Sequence, residues 1–183
     1  RLTAGRLVLG AAFLGTVPIF AGTAAQPWST KMGLSPSVLS SEIVLMKNFQ
    51  TVQWIGGIDG CLRLIDQTRL PLELAEIECR DVNSLWEAIR TLRIRGAPAI
   101  GIAAAYGVCL GVQSVVDADE STFFDTLAKA TAHLATSRPT AVNLFWALQR
   151  MKRTATESRG LASSRKIAER LLAEANLIWQ EDR

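Results

Sequence analysis

Arg93-Ile94-Arg95-Gly96-Ala97-Pro98-Ala99-Ile100-Gly101 is the break between two helical runs. Up to Cys79, apolar residues come in short alternating runs. From Asp81 onward, they recur at helical spacing. Arg95-Gly96-Ala97 interrupts the pattern, and Pro98 is well placed as the first residue of a new helix, because its missing N–H has no intrahelical partner to lose. That helix is expected through Ala99–Val115. Gly101, Ala103, Ala104, Ala105, Gly107 and Gly111 make it narrow, so it reads as a core helix on which others pack closely. Ala97–Val116 also has the length of a membrane span, with Gln113 its only strongly polar side chain. The amphipathic segments around it favour a helix buried in protein.

Upstream, Val52–Ile55 is a short β-type run and Gly56–Gly60 a turn. Cys61–Asp66 is a second strand. Pro71 breaks the chain before a third, Leu74–Cys79, with Ala75, Ile77 and Cys79 on one face. Short connections predict an antiparallel meander. Asp81, Asn83 and Ser84 are candidate N-caps, and Ser84-x-x-Glu87 fits a capping box. Leu85, Ile89 and Leu92 then follow at helical spacing. Downstream, Ser121–Ala135 is a helix with Phe124, Leu127 and Leu134 inward. Thr140–Arg153 is another, with Leu144, Phe145, Leu148 and Met151 apolar, and Ser158–Gly160 breaks it. Ser163–Glu181 is amphipathic, with Ile167, Leu171, Ala175 and Ile178 along one stripe. The fold class is therefore α+β: a small antiparallel β-meander of about three strands, then a helical bundle.

The chain has 183 residues, 49% hydrophobic and 20% charged, with a net charge of +3. Such a composition excludes disorder as the dominant state. Cys61, Cys79 and Cys109 form no close-spaced set, which excludes a disulfide scaffold and a paired-cysteine zinc site. One histidine, His133, gives no basis for a metal centre. Arg1, Arg6, Lys31 and Glu42 are the only charges in residues 1–45, so this head holds most of the basic excess. The body has no long Lys/Arg run, and nucleic acid is not an expected partner. Leu7–Ala25 is uncharged, with arginines before it and small residues closing it, the layout of a secretory signal. Residues 1–45 read as a signal-like or spurious extension and linker: a genuine signal or membrane anchor, upstream sequence joined to a coding region, or an apolar segment packed on the domain. Patterning begins at Met46-Lys47, which makes 46–183 the expected domain. The final helix runs to the end of the chain without a stop signal, so further protein is expected beyond Arg183.

The chemistry concentrates at helix starts. A helix N-terminus presents unpaired N–H groups and the positive end of the macrodipole, a natural seat for phosphate. Gly96 lets a ligand approach the backbone, and Arg95 offers a bidentate contact. Arg138, in Ser137-Arg138-Pro139-Thr140, stands before a second helix. Both arginines also read as plain surface charges, and glycine–proline helix starts occur without ligands. His133 reads as a satisfied core or surface histidine, and Cys109 as buried packing. Asp117, Asp119 and Glu120 read as solvated capping residues. No nucleophile–base pair or metal-ligand set is visible.

Three runs carry a resemblance: Leu64-Ile65-Asp66-Gln67-Thr68-Arg69-Leu70-Pro71, then Arg95 through Gly107, then Ser137-Arg138-Pro139-Thr140-Ala141-Val142-Asn143-Leu144. Over about Gln50–Arg183 the chain resembles the methylthioribose-1-phosphate isomerase family of methionine salvage. The same group includes ribose-1,5-bisphosphate isomerase and the regulatory subunits of initiation factor 2B. The resemblance implies an aldose–ketose isomerase that turns 5-methylthio-ribose 1-phosphate into the matching ribulose 1-phosphate, without a metal or cofactor, in the cytoplasm, as a homodimer. It implies substrate-binding roles for Arg95, Gly96, Ala97 and Arg138. The family's catalytic cysteine and aspartate, and its Rossmann-like second domain, belong to motifs expected downstream of Arg183. Residues 1–45 match nothing in the family. A bisphosphate isomerase and a non-catalytic regulatory subunit are the alternatives.

Overall fold

The computed structural model describes residues 50–182. The readings made for residues 1–45 and for Met46-Lys47 lie outside them. Three strands, β1 (Val52–Ile55), β2 (Cys61–Ile65) and β3 (Glu76–Cys79), form one antiparallel sheet in that order. The register sets Val52 and Ile77 opposite Leu64, and Trp54 and Cys79 opposite Leu62. These six therefore share one face, which turns onto the core, with Leu62 and Leu64 fully buried. The expected pairing of Ile77 and Cys79 on one face is what the sheet uses.

Helix α1 (Val82–Arg90) begins two residues ahead of the predicted capping box. Asp81 is its cap: the carboxylate accepts from the Asn83 and Ser84 N–H groups at 2.8 and 2.9 Å. Ser84 therefore lies inside the first turn, and Glu87 instead takes the Arg93 guanidinium at 3.2 Å. The expected Ser84–Glu87 box does not form, because an aspartate three positions earlier had already satisfied the first donors. Leu92 also departs from expectation. The helix ends before it, Leu92 is left-handed at φ +64° and exposed, and Ile94 fills the buried position.

Helix α2 (Ala97–Val112) continues into a 3₁₀ turn, Gln113–Val115. Every residue from Ile100 to Leu110 is buried. The absence of side-chain bulk makes this possible: a Cβ on Gly107 would stand 2.8 Å from Leu85 of α1 and 2.9 Å from Leu134 of the next helix. By length and composition Ala97–Val115 would cross a membrane, but 67% of it is buried against the rest of the domain. Its neighbours supply the polar outer surface.

Helix α3 (Glu120–Ala135) is capped by Asp119, which accepts from the Thr122 N–H at 3.0 Å. Phe123, not Phe124, is its fully buried aromatic. Phe124 lies at the margin, under the Arg159 guanidinium at 4.7 Å. Helix α4 (Val142–Glu157) starts two residues later than predicted and runs four further. Leu144, Leu148 and Met151 are buried as expected, whereas Phe145 faces outward. Helix α5 (Ser164–Glu181) is capped by Ser163 and buries all four residues of its predicted stripe. Trp179 of α5 donates to the Val52 carbonyl at 3.1 Å, tying the last helix to the first strand.

Candidate functional site

At the start of α2, Gly96 is the N-cap with φ +95°, and Pro98 is in the first turn. The cap is open: a Cβ on Gly96 would meet nothing within 4 Å. Glycine is needed there for its backbone angle alone. The loop after β2 docks on this start. Asp66 is buried and accepts from the Thr68 N–H at 3.0 Å and the Thr68 hydroxyl at 2.6 Å. The hydroxyl bond is the main reason its carboxyl is held below the usual carboxylate range, with Arg93 at 3.7 Å assisting. Next along, the Gln67 N–H donates to the Arg93 carbonyl at 2.9 Å. Its side-chain oxygen accepts from Arg95 Nε at 3.0 Å. That bond fixes the guanidinium plane through Nε, so an anion would take the two Nη groups.

Arg138 precedes α4 and is half-buried. Its carbonyl accepts from the Ala141 N–H at 3.0 Å, closing a turn before the helix begins. The starts of α2 and α4 lie against each other. A Cβ on Gly101 would be 3.2 Å from the Asn143 carbonyl oxygen. Beside this contact is a cleft of about 390 Å³ lined by Pro98, Gly101, Ile102, Val142, Asn143, Trp146, Ile178, Glu181 and Asp182. Arg95 and Arg138 are not in its wall. They lie upstream of Pro98 and Val142, which are. The structure thus brings together the two helix starts that the sequence singled out. Gln67, Asn143 and Trp146 are additions that sequence reasoning missed. Gln67 stood in a quoted motif, but only the fold reveals its partner.

Other candidates sort differently. Burial pushes the Cys79 thiol up to about 11 and the Cys109 thiol to about 12. Neither thiol supplies a thiolate at neutral pH, so Cys109 packs as expected. His133 stacks on Trp86 with centroids 5.3 Å apart. Its Nε2 is buried without a hydrogen-bond partner, so it is not the satisfied histidine that was expected. Asp119 is a cap, as expected. Asp117 instead pairs with Arg165 of α5 at 2.7 Å, and Glu120 accepts from the Gly160 N–H at 2.9 Å.

Residues 93–183 match the family described as the initiation factor 2 subunit family, and over that stretch the chain belongs to it. Three similar proteins show its range. The chain is 48% identical over 131 residues to the 5-deoxyribose 1-phosphate isomerase of Bacillus thuringiensis (strain Al Hakam), which covers 72% of this chain and 37% of that protein. It superposes on the crystal structure of 5-methylthioribose 1-phosphate isomerase from Pyrococcus horikoshii with a TM-score of 0.63 and 34% identity, over 72% of this chain and 36% of that one. It superposes on translation initiation factor eIF-2B, subunit delta, from A. fulgidus with a TM-score of 0.66 and 40% identity, over 74% of this chain and 38% of that one. The chain spans little more than a third of the length of the curated relatives it matches.

Proposed function

We propose that this chain carries the phosphosugar-anchoring part of an aldose–ketose isomerase. Its substrate would be a ribose 1-phosphate with no phosphate on C5, with 5-methylthio-ribose 1-phosphate preferred and 5-deoxyribose 1-phosphate as its nearest variant. The observation that carries this reading is the meeting of two helix starts at Gly101 and Asn143, with Arg95 oriented by Gln67. The Ala97 and Ala99 amides of the first α2 turn and the Arg95 fork would receive the phosphate, and Arg138 would close it from the α4 side.

Holding the phosphate has a chemical purpose. A sugar phosphorylated at C1 has no free aldehyde, so the ring must open before the oxidation level can move between C1 and C2. Opening needs a proton donor at the ring oxygen and a fixed carbon chain. Anchoring the phosphate supplies the fixed end. The catalytic cysteine and aspartate are assigned by resemblance to motifs expected downstream of Arg183, and no metal or cofactor enters this scheme. In the whole protein we place the reaction in a cytoplasmic homodimer. The cleft wall of Pro98, Ile102, Val142, Trp146 and Ile178, with Glu181 and Asp182 also in its lining, supports an uncharged C5 substituent over a second phosphate.

The similarity to the initiation-factor subunit supports a second reading, a non-catalytic regulatory subunit. Calorimetric titration with ribose 1-phosphate separates the two. The isomerase reading expects binding by the 183-residue chain, weakened about tenfold in Arg95→Ala, and no turnover. Absent binding overturns it, and turnover by this chain overturns the assignment of the catalytic cysteine and aspartate to later residues.

A further inference from the structure

Arg150, on the side of α4 that meets α5, is not a residue that the proposed anchor uses. Its side chain is only 16% exposed and reaches three groups on two helices. Nε donates to Glu174, and Nη1 and Nη2 donate to the two carboxylate oxygens of Glu181, Nη2 at 2.8 Å. The same guanidinium lies 5.3 Å from the centroid of the Trp146 ring. Trp146 and Glu181 both line the cleft beside the two helix starts. One side chain therefore touches two lining residues of the cleft without lining it itself.

The charge balance gives the contact a function. A phosphosugar brings negative charge to a cleft whose lining already includes Glu181 and Asp182. Hydrogen bonds from Arg150 hold the Glu181 carboxyl below its usual range, so it is ionised at neutral pH. A bare carboxylate there would repel the ligand. A carboxylate in a bidentate pair with Arg150 presents little net charge. Glu174 already answers part of the Arg150 charge, so the cluster of one arginine and two glutamates carries one net negative charge, and losing the arginine doubles it.

We propose that Arg150 is a positioning residue for phosphosugar binding: it holds Trp146 and Glu181 in the cleft wall and neutralises Glu181 toward an anionic ligand. This rests on the phosphosugar reading of the cleft. The test uses the full 183-residue chain, with ribose 1-phosphate as the probe in calorimetric titration and thermal melting as the check on folding.

Arg150→Met is expected to weaken binding about tenfold, by leaving a charged Glu181 exposed to the ligand. Arg150→Met with Glu181→Gln is expected to recover to within about threefold of the parent, because the repelling charge is gone. A purely structural arginine would not be rescued by removing its partner as well. Glu181→Gln alone keeps Arg150 on Glu174 and shifts the cluster by one positive charge, so it is expected to tighten binding about threefold at low salt, fading above about 0.15 M. This last variant keeps the test decisive should Arg150→Met fail to fold.

Unchanged affinity in Arg150→Met, a double variant as weak as the single, or weaker binding by Glu181→Gln each overturns the role given to Arg150. A parent chain that binds no ribose 1-phosphate overturns the phosphosugar reading, and the Arg150 role with it. A parent that binds, with variants that do not move, overturns only the Arg150 role.

Discussion

The two helix starts that meet at Gly101 and Asn143 share an arginine and a nearby proline, yet they are built differently. At α2, Gly96 turns the chain with a positive φ and the helix follows at once, with Pro98 inside its first turn. At α4, Arg138-Pro139-Thr140 first closes a turn, and the helix begins only at Val142. Its cap, Ala141, has no side-chain acceptor. An arginine–proline pair therefore does not by itself start a helix. At α2 the start is set by a residue that adopts the unusual backbone angle, and at α4 by a turn closed ahead of an uncapped extended residue. The α2 start leaves its amides open for a ligand, and the α4 start spends one N–H on its own turn.

The largest test of this contrast prises the two starts apart. Gly101→Leu would drive a side chain into Asn143, whose carbonyl already lies 3.2 Å from the position of a first carbon. It should destabilise the domain by about 3 kcal/mol in denaturant unfolding and abolish phosphosugar binding. A fully stable, binding-competent variant would mean that the contact does not join the starts. Gly96→Ala comes next. Open space surrounds the added carbon, so its effect is conformational only, about 2 kcal/mol. Unchanged stability would show that the φ of +95° is not required.

In the full chain, Arg95→Ala should weaken ribose 1-phosphate binding about tenfold and Arg138→Ala by about threefold, since only the former start has a second residue orienting its arginine. The reverse order would make α4 the principal anchor. The smallest effect is a gain. Ala141→Ser supplies the missing acceptor and should raise stability by about 0.5–1 kcal/mol in the same unfolding experiment. No gain would indicate that the preceding turn already satisfies that end of α4.

Legibility in the sequence followed the range of the interaction. The sheet was readable because Val52, Trp54, Leu62, Leu64, Ile77 and Cys79 alternate with polar neighbours. The α5 stripe was readable because four apolar residues repeat at helical spacing. Errors fell where two local signals competed. Asp81 displaced the Ser84 box by accepting from the Asn83 and Ser84 N–H groups and so starting the helix ahead of it. Phe123 and Phe124 are adjacent, and only their neighbours decide which turns inward. In the site, Arg95, Gly96 and Arg138 were selectable by residue type and Ala97 by resemblance, but Gln67, Asn143 and Trp146 were not. Their significance lies in contacts between distant parts of the chain, 28 residues apart in the Gln67–Arg95 pair.

By itself, the sequence determined the order of strands and helices, the narrow apolar core helix and the arginine-bearing helix starts, because each depends on residues within one or two turns of each other. Only the tertiary structure decided that the starts of α2 and α4 touch, that Gln67 orients Arg95, and that Arg150 stands behind both Trp146 and Glu181. Those facts arise from packing around a helix stripped of side-chain bulk, where glycine sets how closely two backbones approach, and no local pattern in the chain encodes which distant residue will be found on the other side.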